Sequence, residues 1–124
     1  MSTGNRIEVV QSNGTVLASG QFTTVEQEKE TQGTARIIEE NGQRYLEFDA
    51  AFTTANGPDV EVVFHRDSVV PVSLDEADYV TLAQLQSFDG AQRYLIPAEM
   101  DLSIFNSVAI WCAEFNVTFG YAAL

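Results

Sequence analysis

One cysteine, one histidine and many carboxylates are the side chains of this 124-residue chain that could carry chemistry. Thiols do redox chemistry and ligate metals and haem iron, which makes Cys112 the first candidate. A free cysteine in a strand is also often only a small buried hydrophobe. Because Trp111 and Ala113 beside it are apolar and the chain is negatively charged, we expect a protonated thiol. A cysteine-hydrolase mechanism is therefore disfavoured.

His65 and three aspartates are weaker candidates. We consider His65 as a second cofactor ligand beside Cys112, with a surface strand position as the alternative. No Cys-x-x-Cys-His motif occurs, which excludes covalent attachment of a c-type haem. One cysteine and one histidine are too few ligands for a closed, four-coordinate zinc site. Asp49, Asp59 and Asp67 could converge on a calcium ion. The alternative is that these three are solvated acids of turns and strand edges.

The charge balance restricts the partners. Eighteen acidic residues face six basic ones, giving a net charge of −12. This charge disfavours nucleic acid and anionic membranes and favours cations or a basic protein partner, although solubility alone would also explain it. No apolar run approaches the roughly 20 residues that cross a bilayer, so we expect no membrane insertion. We find no signal peptide in residues 1–6 and expect a flexible N-terminus there.

Turn signals indicate the fold class. The dipeptides Asn13-Gly14, Asn41-Gly42, Asn56-Gly57 and Asp89-Gly90 suit type I′ hairpins and separate short runs rich in β-branched and aromatic residues. We therefore predict an all-β protein, an antiparallel two-sheet β-sandwich with one or two short helical turns. Residues 1–124 form a single domain, since no linker or repeat interrupts them.

The hairpin around Asn41-Gly42 is the most sharply specified. A two-residue turn aligns opposite charges and apolar partners, and a one-residue slip would spoil this match. The predicted pairs are Ala35 with Phe48, Arg36 with Glu47, Ile37 with Leu46, Ile38 with Tyr45, and Glu39 with Arg44. A hairpin around Asn13-Gly14 would pair Val10 with Leu17 and Val9 with Ala18.

Further along, we predict a strand at 60–66 with Val60, Val62 and Phe64 on one face. The capping box at 73–76 predicts one or two helical turns before Asp89, and residues 99–105 predict another. Residues 108–119 read as one long strand, with a bulge or turn near 113–114 as the alternative. Either way, Cys112 lies at a buried-to-exposed boundary.

Several blocks resemble the DM-thirteen domain family. They are Gly57-Pro58-Asp59-Val60-Glu61-Val62, residues 79–85 with 90–97, and Val108-Ala109-Ile110-Trp111-Cys112 with 115–122. Residues 20–22 and 33–35 resemble its opening strands. The resemblance covers roughly residues 17–124.

The resemblance implies an all-β, extracytoplasmic domain, sometimes found beside DOMON domains and proposed to transfer electrons. Its cysteine, matched by Cys112, would act as a bare thiol or as a ligand to a prosthetic group such as haem, protected here beside Trp111. Family members often carry a histidine where this chain has Lys29, which puts a two-ligand haem site in doubt.

Two functions from different classes follow. The first is an electron-transfer domain centred on Cys112, with a redox or basic protein as partner and no stand-alone catalysis expected. The second is a non-catalytic acidic binding module for calcium or a protein, in which Cys112 is structural.

Overall fold

The computed structural model describes residues 14–124. They form eight strands and three single 3-10 turns, at Gln27–Lys29, Glu76–Asp78 and Leu102–Ile104. The strands are β1 (Thr15–Thr24), β2 (Thr34–Glu40), β3 (Gln43–Phe48), β4 (Val60–His65), β5 (Tyr79–Gln84), β6 (Gln92–Ile96), β7 (Ser107–Cys112) and β8 (Val117–Ala123). The all-β, antiparallel class is confirmed.

The strands form one sheet, in the order β5-β4-β7-β8-β1-β2-β3-β6. This sheet curls until it is nearly a closed barrel, so the predicted two-sheet sandwich is wrong in that respect. The cause is β1, which is long enough to pair with two different neighbours. Its residues 15–21 pair with β2, whereas Phe22, Thr23 and Thr24 pair with β8.

Gly20 permits this change of partner within β1. A Cβ atom on Gly20 would lie 1.8 Å from the carbonyl oxygen of Ala123, at the end of β8. Only glycine lets the two backbones approach so closely. The signal is invisible in the sequence, where Gly20 reads as an ordinary strand residue.

Hydrogen bonds from Gln86, two residues after the end of β5, join the two edges of the sheet at β6. The backbone N–H of Gln86 donates to the Tyr94 hydroxyl at 2.9 Å, and the Gln86 side-chain amide donates to the Arg93 carbonyl at 2.6 Å. The Tyr94 hydroxyl in turn donates to Gln92 Oε1. These contacts replace a strand ladder and leave the barrel nearly, rather than fully, closed.

The predicted β2–β3 hairpin is confirmed in all five residue pairs. Asn41 and Gly42 have φ values of 54° and 80°, as a type I′ turn requires. The Arg36–Glu47 pair forms a salt bridge of 2.9 Å. Turn chemistry and charge pairing here agree, which is why the register could be derived from the sequence.

The other turn dipeptides behave differently. The partners proposed for Leu17 and Ala18, Val10 and Val9, lie outside the described residues. Near Asn56-Gly57 it is Asp59 that takes positive φ, at 54°, and the chain enters β4 without a hairpin. At Asp89-Gly90 only Gly90 has positive φ, and the segment leads from one sheet edge to the other.

The segment 73–88 contains one 3-10 turn followed by a strand, where helical turns were predicted. Asp75 caps the 3-10 turn by accepting from the Ala77 N–H, after which Tyr79–Gln84 pair with β4 as β5. The predicted turn at 99–105 is confirmed as Leu102–Ile104. The long run 108–119 is divided by a turn into β7 and β8, so the alternative of a turn near 113–114 is the correct one.

Two apolar clusters occupy the two faces of the sheet. The inner one fills the barrel and includes Val60, Val62 and Phe64 of β4, which confirms their predicted common face. The smaller one lies on the other face, where Val70 and Leu74 cover it from the loop after β4.

Candidate functional site

Cys112 is the last residue of β7 and lies between Val60 of β4 and Val117 of β8. Its side chain joins the inner cluster and the residue is only 1% exposed. The sulfur donates a hydrogen bond to the Pro58 carbonyl at 3.0 Å. Only a protonated thiol can donate this bond.

Cys112 is nevertheless one of the residues that line an open cleft of about 450 Å³. Val117, Phe119 and Phe115 supply apolar walls, and Pro58 lies beside the sulfur. The volume falls in the range of small-molecule pockets. Cys112 is therefore almost fully covered and lies in the wall of an open cleft.

A β-bulge builds one side of the cleft. Ile110 pairs with Gly120 and Trp111 with Thr118, so Phe119 is an extra residue on β8. Its carbonyl is free to accept the N–H groups of Val25 at 2.8 Å and Glu26 at 3.3 Å. These bonds hold the segment 25–29 beside the cleft, and Glu26 and Glu28 of this segment line the cleft.

Lys29 reaches across the same cleft from this segment. Its ammonium group donates to the Asn56 carbonyl at 3.4 Å and lies 5.5 Å from the centre of the Phe119 ring. The side chain thus joins two loops over the pocket that Cys112 borders. Lys29 occupies the place where the resemblance led us to look for a histidine.

The turn after Cys112 is held firmly by Asn116. The Asn116 side-chain oxygen accepts from the Trp111 indole at 2.9 Å and from the Leu74 N–H at 2.8 Å, while its amide donates to the Leu74 carbonyl at 3.2 Å. Asn116 itself has φ of 52°, which asparagine tolerates better than most residues. Phe115, immediately before it, is 66% exposed.

Trp111 lies on the opposite face of β7 from the thiol. Its ring packs in the second cluster, 4.8 Å from the Tyr79 ring centre, whereas Cys112 faces the barrel interior. Successive strand residues alternate between faces, so sequence neighbours do not cover each other. Protection of the sulfur therefore comes from Pro58 and the cleft walls, and the protection expected from Trp111 is not present.

His65 is not brought to Cys112. It pairs with Ser107 at the far end of β4, five residues from Val60, a separation of roughly 16 Å along a strand. It is fully buried rather than a surface residue, and its Nδ1 accepts the Asp67 N–H at 3.0 Å. That bond places the proton of a neutral ring on Nε2, which has no hydrogen-bond partner.

The three aspartates are not brought together either. Asp49 Oδ1 accepts the Thr34 N–H, and Asp59 Oδ1 accepts from Gln84. Asp59 and Asp67 flank opposite ends of β4, which separates them by roughly 25 Å. Across residues 14–124, no group of three or more His, Cys, Asp or Glu side chains is arranged to hold a metal ion.

Haem fits the cleft poorly. Phe115, Phe119 and Val117 would suit a macrocycle, but the Cys112 sulfur is almost fully covered and hydrogen-bonded to Pro58. Glu26 and Glu28 line the pocket and would repel the propionates. The lining residues among those described include no histidine or methionine as a second ligand.

A larger concavity of about 570 Å³ lies elsewhere, over β2, β3 and β6. In its lining, Glu47 accepts from both Arg36 and Arg93, Arg93 also binds Glu40, and Asp49 accepts the Thr34 N–H. Burial raises the pKa of Glu47, but the hydrogen bonds from Arg93 and Arg36 outweigh it and bring that pKa below its usual value. This network ties β2, β3 and β6 together.

Sequence reasoning found Cys112, and the resemblance drew attention to the position of Lys29, but nothing in the sequence showed that Phe119 and Asn56 lie beside Lys29. Lys29, Phe119 and Asn56 lie far apart in the chain and meet only through the bulge on β8. One usable signal existed, because Lys29 is the only lysine in the sequence.

No helix in the described part of the chain has the length and apolar character needed to span a membrane. No curated protein and no solved structure gave a significant match to the chain. A family model described as electron transfer DM13 matches residues 7–124, nearly the whole sequence. The chain therefore belongs to the electron transfer DM13 family.

Proposed function

We propose that this domain transfers electrons through Cys112 acting as a bare thiol that small reactants reach by way of the cleft. The family description supports electron transfer in general. The observation that carries the role of Cys112 is its position at the edge of an open pocket of about 450 Å³. A purely structural cysteine has no need of such an opening.

The chemistry is thiol–disulfide exchange. The thiol loses its proton to solvent in the cleft, and the thiolate attacks one sulfur of a partner disulfide. A sulfur–sulfur bond to Cys112 forms, the partner bond breaks, and the other partner sulfur leaves as a thiolate. A second thiol must then resolve the mixed disulfide and must come from outside the chain, because Cys112 is its only cysteine.

The contact with Pro58 engages the hydrogen of the resting thiol in a weak hydrogen bond. Breaking this 3.0 Å hydrogen bond must precede loss of the proton. Burial also slows over-oxidation, which progresses fastest on exposed thiolates. The same proposal places the domain outside the cytoplasm, where disulfide oxidants persist.

A direct test is exposure of the folded, reduced protein to glutathione disulfide, followed by intact-mass analysis. We expect one glutathione adduct per chain, none with Cys112→Ser, and full return to the starting mass with a reductant. An absorption spectrum of the purified protein, expected to lack a Soret band, accompanies the assay.

The contrary result is equally clear. If the folded chain forms no adduct but the urea-unfolded chain forms one at once, the sulfur is sealed and Cys112 is structural. A Soret band that disappears in Cys112→Ser would instead assign the residue to haem and refute the bare-thiol role.

A further inference from the structure

We propose that the mouth of the Cys112 cleft is a docking surface for a basic protein that presents an apolar side chain. The surface consists of Phe115 with Glu26, Glu28 and Glu114. The inference rests on the proposed function, because it names the kind of partner that would exchange electrons at this site.

The apolar part of the surface is Phe115. Its ring is 66% exposed, more than any other aromatic side chain that the structure describes as exposed, and it borders the pocket that Cys112 also borders. The turn that carries it is fixed by three hydrogen bonds of the Asn116 side chain. An exposed aromatic ring on a rigid support binds with little loss of conformational entropy, as interface anchors do.

The charged part of the surface is acidic. Glu28 and Glu114 are exposed, Glu26 is half-buried, and Glu26 and Glu28 line the pocket. The single cation among the residues that line the pocket, Lys29, points inward to the Asn56 carbonyl and the Phe119 ring. The outward charge is therefore negative, in keeping with the net charge of −12.

Charge complementarity then selects the partner. A protein with Lys or Arg around a protruding apolar residue could place that residue against Phe115 while its cations face the three glutamates. Such pairing speeds association at low salt and is screened as salt rises. Nucleic acid is repelled by the same carboxylates.

The test uses three disulfide probes on the reduced, full-length protein. Two are short peptides with one cysteine activated as its 2-thiopyridyl mixed disulfide, flanked by leucines and by either four lysines or four glutamates. The third is neutral 2,2′-dithiodipyridine. Attack by Cys112 forms the protein–peptide disulfide and releases 2-thiopyridone, whose absorbance gives the rate.

We expect the lysine peptide to react at least tenfold faster than the glutamate peptide at low salt, with the ratio falling towards one in high salt. The double variant Glu28→Gln with Glu114→Gln should lower the ratio of the lysine-peptide rate to the neutral-probe rate several-fold. Glu99→Gln, which removes an exposed charge far from the cleft, should change neither rate.

The contribution of Phe115 is tested by the ratio of the lysine-peptide rate to the neutral-probe rate. Phe115→Ala should lower the lysine-peptide rate relative to the neutral-probe rate, whereas Leu95→Ala, an exposed apolar residue on β6, should not. If the neutral probe reacts but both peptides react equally at all salts, the docking surface is refuted and the redox thiol stands. If Cys112 reacts with none of the probes, both proposals are overturned.

Discussion

At the scale of single residues, access to the Cys112 sulfur depends on two contacts, one made by Pro58 and one by Lys29. Pro58 accepts the thiol hydrogen, and Lys29 holds the segment above the pocket through a 3.4 Å bond to Asn56. Neither contact is strong, because a sulfur donor is weak and the lysine bond lies at the surface. The arrangement therefore limits access to Cys112 without preventing it.

Lys29→Ala should make Cys112 more reactive. The substitution removes the hydrogen bond to Asn56 and the contact with the Phe119 ring. Together these contacts stabilise the position of Lys29 across the cleft by about 0.5–1 kcal/mol. We expect the rate of alkylation by neutral iodoacetamide to rise about two- to fivefold. Arg66→Ala, which removes a surface bond to the Ala77 carbonyl at the far end of β4, is the control and should have no effect. A rate unchanged in Lys29→Ala would show that the lysine does not restrict the cleft.

Tyr94 offers a residue-scale test of barrel closure. Burial raises the pKa of Tyr94 to about 12, against the opposing hydrogen bond from Gln86. Because the unfolded chain ionises near pH 10 and the folded chain near 12, stability is intact below pH 10 and is lost as pH rises between these values. The expected loss is roughly 2–3 kcal/mol. Urea unfolding of the wild type and Tyr94→Phe from pH 9 to 12 measures it.

In Tyr94→Phe the free energy of unfolding at neutral pH should fall by about 1–2 kcal/mol, since the Gln86 N–H and Gln92 lose a partner. Its pH dependence should be shallower than that of the wild type. Equal slopes for the two proteins would mean that the Tyr94 hydroxyl ionises as easily in the fold as in the unfolded chain.

At the scale of elements, the parts that could be predicted are those specified by neighbouring residues. The β2–β3 hairpin follows from its turn, since Asn41-Gly42 accept positive φ and every cross-strand pair agrees. Strand β5 could not be found in this way, because YVTLAQ is half-exposed along its length and shows no alternation. Barrel curvature was also missed, because it depends on a backbone approach at Gly20 that no pattern of side chains reports.

In the candidate site, too, the features set by neighbouring residues could be predicted and those set by long-range contacts could not. Cys112 is identified by its residue type, and the buried-to-exposed boundary follows from the polarity change after it. The Lys29 and Phe119 walls are set by a bulge between β7 and β8, so they are long-range consequences of the fold. The surface position that was the alternative for His65 is also wrong, because the loop carrying Val70 and Leu74 folds back over that face of the sheet.

Gly20→Ala tests the strand that joins the two halves of the sheet. The added Cβ would lie 1.8 Å from the Ala123 carbonyl oxygen, so β1 and β8 must separate. We expect a loss of about 3 kcal/mol or more in the free energy of unfolding. Gly42→Ala is the matched control: its Cβ meets open space, and only the positive φ of 80° opposes it, costing about 1 kcal/mol. Similar losses for the two variants would argue against the close β1–β8 contact.

At the scale of the whole molecule, two electrostatic effects oppose each other. The Arg36–Glu47–Arg93–Glu40 network stabilises β2, β3 and β6 and weakens when salt screens it. The net charge of −12 repels itself across the surface, and salt relieves that repulsion. The network joins two exposed arginines to two glutamates that are only 15% and 18% exposed. Its few pairs act locally, whereas the excess charge acts over the entire surface.

Salt should therefore stabilise this protein. Raising sodium chloride from about 10 to 100 mM shortens the screening length from about 30 to about 10 Å, less than the width of the domain. We expect Tm to rise by about 2–5 °C, measured by circular dichroism at neutral pH. Choline chloride should act equally, since screening does not depend on the cation, and Glu47→Gln should show a larger rise because its network is already weakened. A fall in Tm with salt would mean that the ion pairs outweigh the repulsion, and a response confined to one cation would indicate a bound ion in place of screening.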